Sequence, residues 1–202
     1  MSDFADTYFE AAAELSRAVP RDKIDAMAQR LAAVRDGGGR LFILGVGGGA
    51  GHASHAVNDF RKLCALESYA PSDNVAELTA RTNDEGWETS YLEWLRTSRL
   101  SGRDAILVFS VGGGSREHNV SMNLVRAIEH AKEVGAFIAG VVGSANGTTA
   151  QLGDVVVVVD APPALKTPLV ESLQALVWHG VITHPDLAAA AGKWETVERT
   201  VV

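Results

Sequence analysis

Cysteine is almost absent from this 202-residue chain. Cys64 stands alone, which excludes an internal disulfide and any cysteine-based metal cluster. No apolar run reaches the roughly 20 residues that a membrane-spanning helix requires. Positive charge is also in deficit, with 18 Lys and Arg against 25 Asp and Glu and a formal net charge of −7. That balance argues against a nucleic-acid surface, which carries a basic stripe. It does not exclude a locally bound anion, because backbone N–H groups at a helix start hold one without cationic side chains. The N-terminal "MSDFADTYFE" is acidic and lacks the apolar stretch of a signal peptide, so the expectation is a soluble cytoplasmic protein. In that setting "NGT" at Asn146 reads as a loop rather than a glycosylation site.

The hydrophobic share of 47% is enough for a substantial core, and the texture is one of alternation. Phe4, Tyr8, Ala11, Ala12 and Leu15 recur at helical spacing, as do Ile24, Met27, Leu31 and Val34. Pro20 separates the two predicted helices, and "RDGGGR" ends the second. Short wholly apolar runs follow at 40–46, 105–111, 136–143 and 154–160, each the mark of a strand buried on both faces. Helices are expected over about 51–65 and 117–134, and a last one through "TPLVESLQALVWHGVITH", with Pro168 in its first turn. Repeated βα units imply an α/β fold with a doubly wound, mainly parallel sheet flanked by helices. The whole chain 1–202 reads as one domain. It comprises an N-terminal helical pair over about 4–36, an α/β core over about 40–185 and a tail, 186–202, expected to fray.

Two glycine loops lie at strand ends. "GVGGGA" (45–50) has the G-x-G-x-x-A form of a dinucleotide fingerprint, with Glu67 near the position of a ribose-binding acid. "FSVGGGSREH" (109–118) adds the hydroxyls of Ser110 and Ser115 around Gly112, Gly113 and Gly114. A dinucleotide site has no need of this second cradle, whereas a phosphorylated sugar does. Hydroxyls and backbone N–H groups at a helix start bind a phosphate dianion. Gly47, Gly48 and Gly49 in the first loop would supply the remaining close backbone approach.

Polar residues on two helices suggest chemistry beside these loops. His55 and Asp59 are four apart and share a helix face. Glu171, Gln174 and His179 interrupt the otherwise apolar last helix, where an unpartnered polar group is costly. A histidine and a carboxylate on each helix suit a divalent metal such as zinc, and equally a general acid–base pair. His52, His118 and His184 read as surface or loop residues.

These blocks resemble the sugar isomerase (SIS) domain family, and within it the phosphoheptose isomerases, over about residues 5–185. "GVGGGAGHASHAVNDF" matches the family's "GNGGSAADAQHFAAEL"-like text, with the family histidine at His55 and its glutamate at Asp59. "SVGGGS" matches "STSGNS" at Ser110 and Ser115, and "TARTND" matches at Thr79, Ala80, Asn83 and Asp84. Glu171 and His179 match the final-helix Gln and His. The resemblance implies a flavodoxin-like, SIS-type sheet and aldose–ketose isomerisation of a sugar phosphate such as sedoheptulose 7-phosphate. It further implies a homotetramer with active sites built between subunits. Zinc would be held at His55, Asp59, Glu171 and His179, with acid–base roles at Asp59 and His179, and Asp84 would belong to the substrate site. The chain departs from the pattern at Val46, Gly49, Gly112, Asp59 and Glu171, which points to an altered substrate rather than a lost site. A non-catalytic phosphosugar-binding or partner-binding SIS protein is the competing expectation. A NAD-dependent oxidoreductase is the more distant one.

Overall fold

The computed structural model describes residues 3–197. The predicted N-terminal pair is present as α1 (Phe4–Ala18) and α2 (Arg21–Asp36), with Pro20 at the break. Five parallel strands follow: β1 (Leu41–Gly45), β2 (Ser68–Tyr69), β3 (Ala105–Ser110), β4 (Phe137–Val142) and β5 (Val155–Val158). Their order across the sheet is β2-β1-β3-β4-β5, the doubly wound, flavodoxin-like arrangement. The chain reverses its direction of travel across the sheet between β1 and β3, so the loops leaving these two strands flank the switch point where ligands settle.

Alternation within each strand feeds two separate cores. Leu41, Ile43, Leu107, Phe109 and Val141 pack on one face with α2, α3 (Gly48–Cys64) and α8 (Lys166–Ile182). Phe42, Leu44, Ile106, Val108 and Ile138 pack on the other face with Tyr91 and Leu95 of α5 (Ser90–Thr97) and with α6 (Met122–Glu133). The carboxylate of the buried Asp104 accepts from the Arg40 guanidinium at 3.0 and 3.1 Å, tying the starts of β1 and β3 together.

The structure departs from the sequence-based expectation in several places. The edge strand β2, helix α4 (Val75–Asp84), α5 and the short α7 (Thr148–Leu152) and α9 (Lys193–Val197) carry patterns too short or too polar to stand out. Helix α3 begins at Gly48 rather than near 51. Helix α6 begins at Met122 rather than near 117, because Asn119 and Ser121 both take left-handed backbone angles (φ 52°) that a helix does not accept. Of the tail expected to fray, residues 186–197 are described and the chain packs back beyond Pro185, while 198–202 lie outside the described residues. Leu187 is buried, and the N–H groups of Ala189 and Ala190 both donate to the Leu63 carbonyl. Among the described residues no helix is long and apolar enough to cross a membrane.

Candidate active site

Helices α3 and α8 lie side by side and run parallel, so paired contacts step down one seam. Gly48 meets Glu171, His52 meets Gln174, Asp59 meets Trp178 and His179, and Cys64 meets the Ile182 carbonyl. The seam has a glycine end and a histidine end.

At the histidine end, His55, Asp59 and His179 converge, with one ligand atom of each within 4.8 Å of the others. The buried Asp59 carboxylate is the centre. Its Oδ2 lies 3.5 Å from His55 Nε2 and 3.4 Å from His179 Nε2, and it accepts the indole N–H of Trp178 at 3.1 Å. Its Oδ1 accepts from Asn58 Nδ2 at 3.1 Å. His179 Nδ1 lies 2.8 Å from the Ala175 carbonyl, which can only accept. Nδ1 therefore carries the proton, and in the neutral ring the lone pair is on Nε2, facing Asp59. The imidazole–carboxylate separations are longer than ordinary N–H···O hydrogen bonds of about 2.7–3.2 Å. They match the roughly 3.3–3.5 Å between neighbouring ligands of a tetrahedral ion with bonds near 2.0–2.1 Å. Two imidazole nitrogens and a carboxylate oxygen that face one another call for a shared proton or a cation, and this donor set fits a divalent one.

Glu171 does not join them. Of the four residues that the resemblance implies for zinc, the structure brings three together, because eight residues of helix put Glu171 about 12 Å up the axis from His179. Its carboxylate lies against Gly48, where an added Cβ would sit 2.6 Å from Oε1. That is the first turn of α3, the end whose dipole favours a negative group. The anion at this helix start is thus the chain's own side chain. The glycines there have a packing cause as well. A Cβ at Gly45 would lie 2.1 Å from the Gly49 carbonyl oxygen, and one at Gly49 would lie 2.4 Å from that of Phe109. Gly47 and Gly51 face open space, Gly47 with a left-handed φ of 60°. Glu67 does not supply a ribose acid. Its carbonyl accepts from Leu41 N at the opposite end of β1, and its carboxylate accepts from Tyr69 Oη.

The second loop is built differently. Gly113 and Gly114 take φ values of 76° and 79°, and their carbonyls accept from the N–H groups of Thr149 and Thr148. Ser110 Oγ accepts from Gly113 N at 3.0 Å, and Gly112 has nothing near a Cβ position. Ser115 is not at a helix start as expected. It exchanges both backbone hydrogen bonds with Val120, and its Oγ accepts from His118 N. The side chain competes for local backbone, and residues 115–120 close as a turn. Asp84 also stays apart, exposed at the end of α4 with its carboxylate accepting from neighbouring Asn83.

Two residues were missed from sequence. His52 is half-buried on the seam, not a surface residue. Gln174 Nε2 donates to the Val141 carbonyl, so its Oε1 accepts from His52 Nδ1 at 2.9 Å and leaves the lone pair on Nε2. The spacing His52, His55, Asp59 (i, i+3, i+7) carried the signal. Asn123, at the start of α6, is fully buried with neither amide atom partnered among the described residues, and no pattern announced it.

No family model matches the chain. The lincomycin biosynthesis protein LmbN of Streptomyces lincolnensis is 36% identical over 171 residues, 79% of this chain. The chain spans 60% of that relative's length. The phosphoheptose isomerase of Aneurinibacillus thermoaerophilus is 24% identical over 208 residues, covering 98% of this chain and 100% of its own. A phosphoheptose isomerase structure from Francisella tularensis superposes with a TM-score of 0.76 at 21% identity. It covers 90% of this chain and 97% of its own, and this likeness establishes the fold.

Proposed function

We propose that this chain, a phosphoheptose isomerase-like protein of the SIS fold, interconverts the aldose and ketose forms of a phosphorylated sugar. Sedoheptulose 7-phosphate, giving a manno-heptose 7-phosphate, is the leading substrate, with a longer analogue the alternative. The observation that carries the reading is His179. Its tautomer is fixed by the Ala175 carbonyl, and its Nε2 lone pair lies beside the buried Asp59 carboxylate.

In the ketose-to-aldose direction Nε2 removes a proton from C1. The C–H electron pair becomes the double bond of an enediol, and the carbonyl oxygen gains a proton. As a proton returns to C2, the C1 hydroxyl gives up its own proton and becomes the aldehyde carbonyl, which completes the isomerisation with no external oxidant. Asp59 stabilises the imidazolium that forms, as a carboxylate beside a catalytic histidine does. Ser110 and the backbone of 112–114 bind the phosphate, with Asn123 and Ser115 close in sequence. A homotetramer would bring one copy's loops to another's trio. The exposed Phe4, Phe9 and Leu176, on α1 and α8, give such an assembly an apolar face to cover.

His55, Asp59 and His179 would hold a divalent cation, zinc being the best fit to two imidazoles and a carboxylate. Bound there, the ion would supply a fixed positive charge. It would also occupy the one lone pair His179 has, so proton transfer by His179 belongs to the ion-free form. Elemental analysis together with turnover before and after chelation separates the two. Activity that needs the ion would remove His179 as the base.

Replacing His179 with Gln keeps a hydrogen-bonding group and removes the titratable nitrogen. Turnover should fall by about 10²–10⁴-fold with the fold and sugar phosphate binding retained. Near-normal turnover in the folded variant would sink the mechanism. Wild-type protein that binds sugar phosphates and isomerises none would establish the non-catalytic binding protein instead.

A further inference from the structure

Next to the histidine end of the seam lies a second feature that the reading above does not use. A cavity of about 580 Å³ is lined by Leu63, His179, Ile182, Thr183, residues 188–192 and Glu195. That volume falls within the range of small-molecule sites, about 300–1,000 Å³. His179 therefore belongs both to the trio and to the wall of this space.

The far wall is the chain's C-terminal segment, and it is anchored. The last turn of a helix leaves carbonyls without partners, and the returning segment takes up those of α3. Leu63 O accepts from Ala189 N and Ala190 N at 2.8 and 3.0 Å. Arg35 Nη1 then bridges the Cys64 and Leu187 carbonyls at 3.3 and 2.6 Å, and Leu187 is fully buried. The turn at 188–192 is thereby held against α3, and beyond it Glu195 folds back. A Cβ at Gly192 would lie 2.2 Å from its Oε2. The lining is otherwise alanine methyls, backbone and the Thr183 hydroxyl, which donates to the His179 carbonyl at 2.8 Å. Glu195 is the one carboxylate in it.

We propose that residues 188–192 and Glu195 close the reaction site, the turn keeping bulk water from the enediol and Glu195 accepting a hydrogen bond from a sugar hydroxyl near the reacting carbons. This rests on the isomerase reading. Glu195 is a positioning residue in it, and the segment recognises the polyhydroxy end of an open-chain sugar rather than its phosphate.

Glu195 is also the third residue of α9, where an acidic or amide side chain can cap a helix start. Glu195→Gln separates the roles, because Gln caps as well but lacks the charge. The experiment compares the full-length protein, Glu195→Gln and a chain ending at Gly192, with sedoheptulose 7-phosphate in deuterated water. Glu195→Gln should raise KM by about 5- to 10-fold, the difference between a hydrogen bond to a charged acceptor and one to a neutral amide oxygen. The shortened chain should pick up more solvent deuterium at the transferred position for each turnover. A Glu195→Gln protein with wild-type KM overturns the inference, whether or not the shortened chain folds. If the wild type does not isomerise but binds the sugar phosphate, a weaker Kd for Glu195→Gln still supports the subsite, and an unchanged Kd removes it. Wild-type protein that neither turns over nor binds the compound overturns both readings.

Discussion

The loops after β1 and β3 both leave a fully buried strand through a run of glycines, yet their glycines answer to different constraints. In the first, helix α3 starts at once, and the missing side chains let it lie directly on the sheet. Gly45 meets the Gly49 carbonyl and Gly49 meets that of Phe109 at distances that admit no Cβ. In the second, the chain wanders from Val111 to Ser121 before α6 begins. There Gly113 and Gly114 are needed for left-handed backbone angles, and Gly112 faces open space. The same letters therefore serve helix–sheet contact in one place and left-handed backbone in the other. At the first loop the Glu171 carboxylate lies against Gly48, at the start of the helix.

Substitutions in the two loops sharpen this contrast. Gly49→Ala should be the most damaging, since its Cβ would lie 2.4 Å from a backbone oxygen in the sheet. Overpacking of this kind costs about 3 kcal/mol or more, roughly 6–12 °C of Tm for a chain of this size. A thermal melt matching the wild type would show that the helix can back away from β3. Ser110→Ala comes next. It should lower Tm by a few degrees, since the buried Gly113 N–H loses its acceptor, and weaken sugar phosphate binding by about 1.5–3 kcal/mol, read as KM or Kd. Unaltered binding would put the phosphate elsewhere. Gly113→Ala, at φ 76°, should cost about 1–2 kcal/mol of stability from the left-handed backbone alone. Denaturant midpoints measure that, and a neutral result would mean the loop relaxes to another conformation. Gly112→Ala should be almost silent, within about 0.5 kcal/mol, because nothing lies near its Cβ position. A large stability loss there would erase the distinction between the loops.

The site was legible where its residues are near neighbours on one amphipathic helix. His55 and Asp59, four apart, could be paired from spacing, and His52 could have been added by the same rule. Helix α8 gave no such guidance. Its apolar residues run round much of its circumference, the exposed Leu176 as well as the buried Leu169, Leu173 and Val177, so periodicity does not say which polar residue faces which neighbour. Glu171 and His179 look equivalent as interruptions of an apolar run. Their different fates depend on the axial offset between two helices, which no local pattern encodes.

The second loop shows the same limit from another side. Ser115 followed by polar residues reads as a helix start, but a hairpin-like turn with Val120 forms there instead and delays α6 to Met122. Asn123, without a side-chain partner among the described residues, is buried by packing and not by its sequence context.

By itself the sequence determined the alternating architecture, since four of the five strands are continuous apolar runs that only a sheet covered on both faces can bury. It also determined that glycine must follow β1 and β3, and that His55 and Asp59 share a face. Tertiary structure alone decided that α8 runs parallel to α3 with His179 opposite Asp59, that Glu171 fills the start of α3, and that the C-terminal segment returns to α3 beside His179. The physical reason is one of range. Burial and backbone conformation act residue by residue and leave a periodic trace, whereas the meeting of three side chains from two helices depends on how those helices pack.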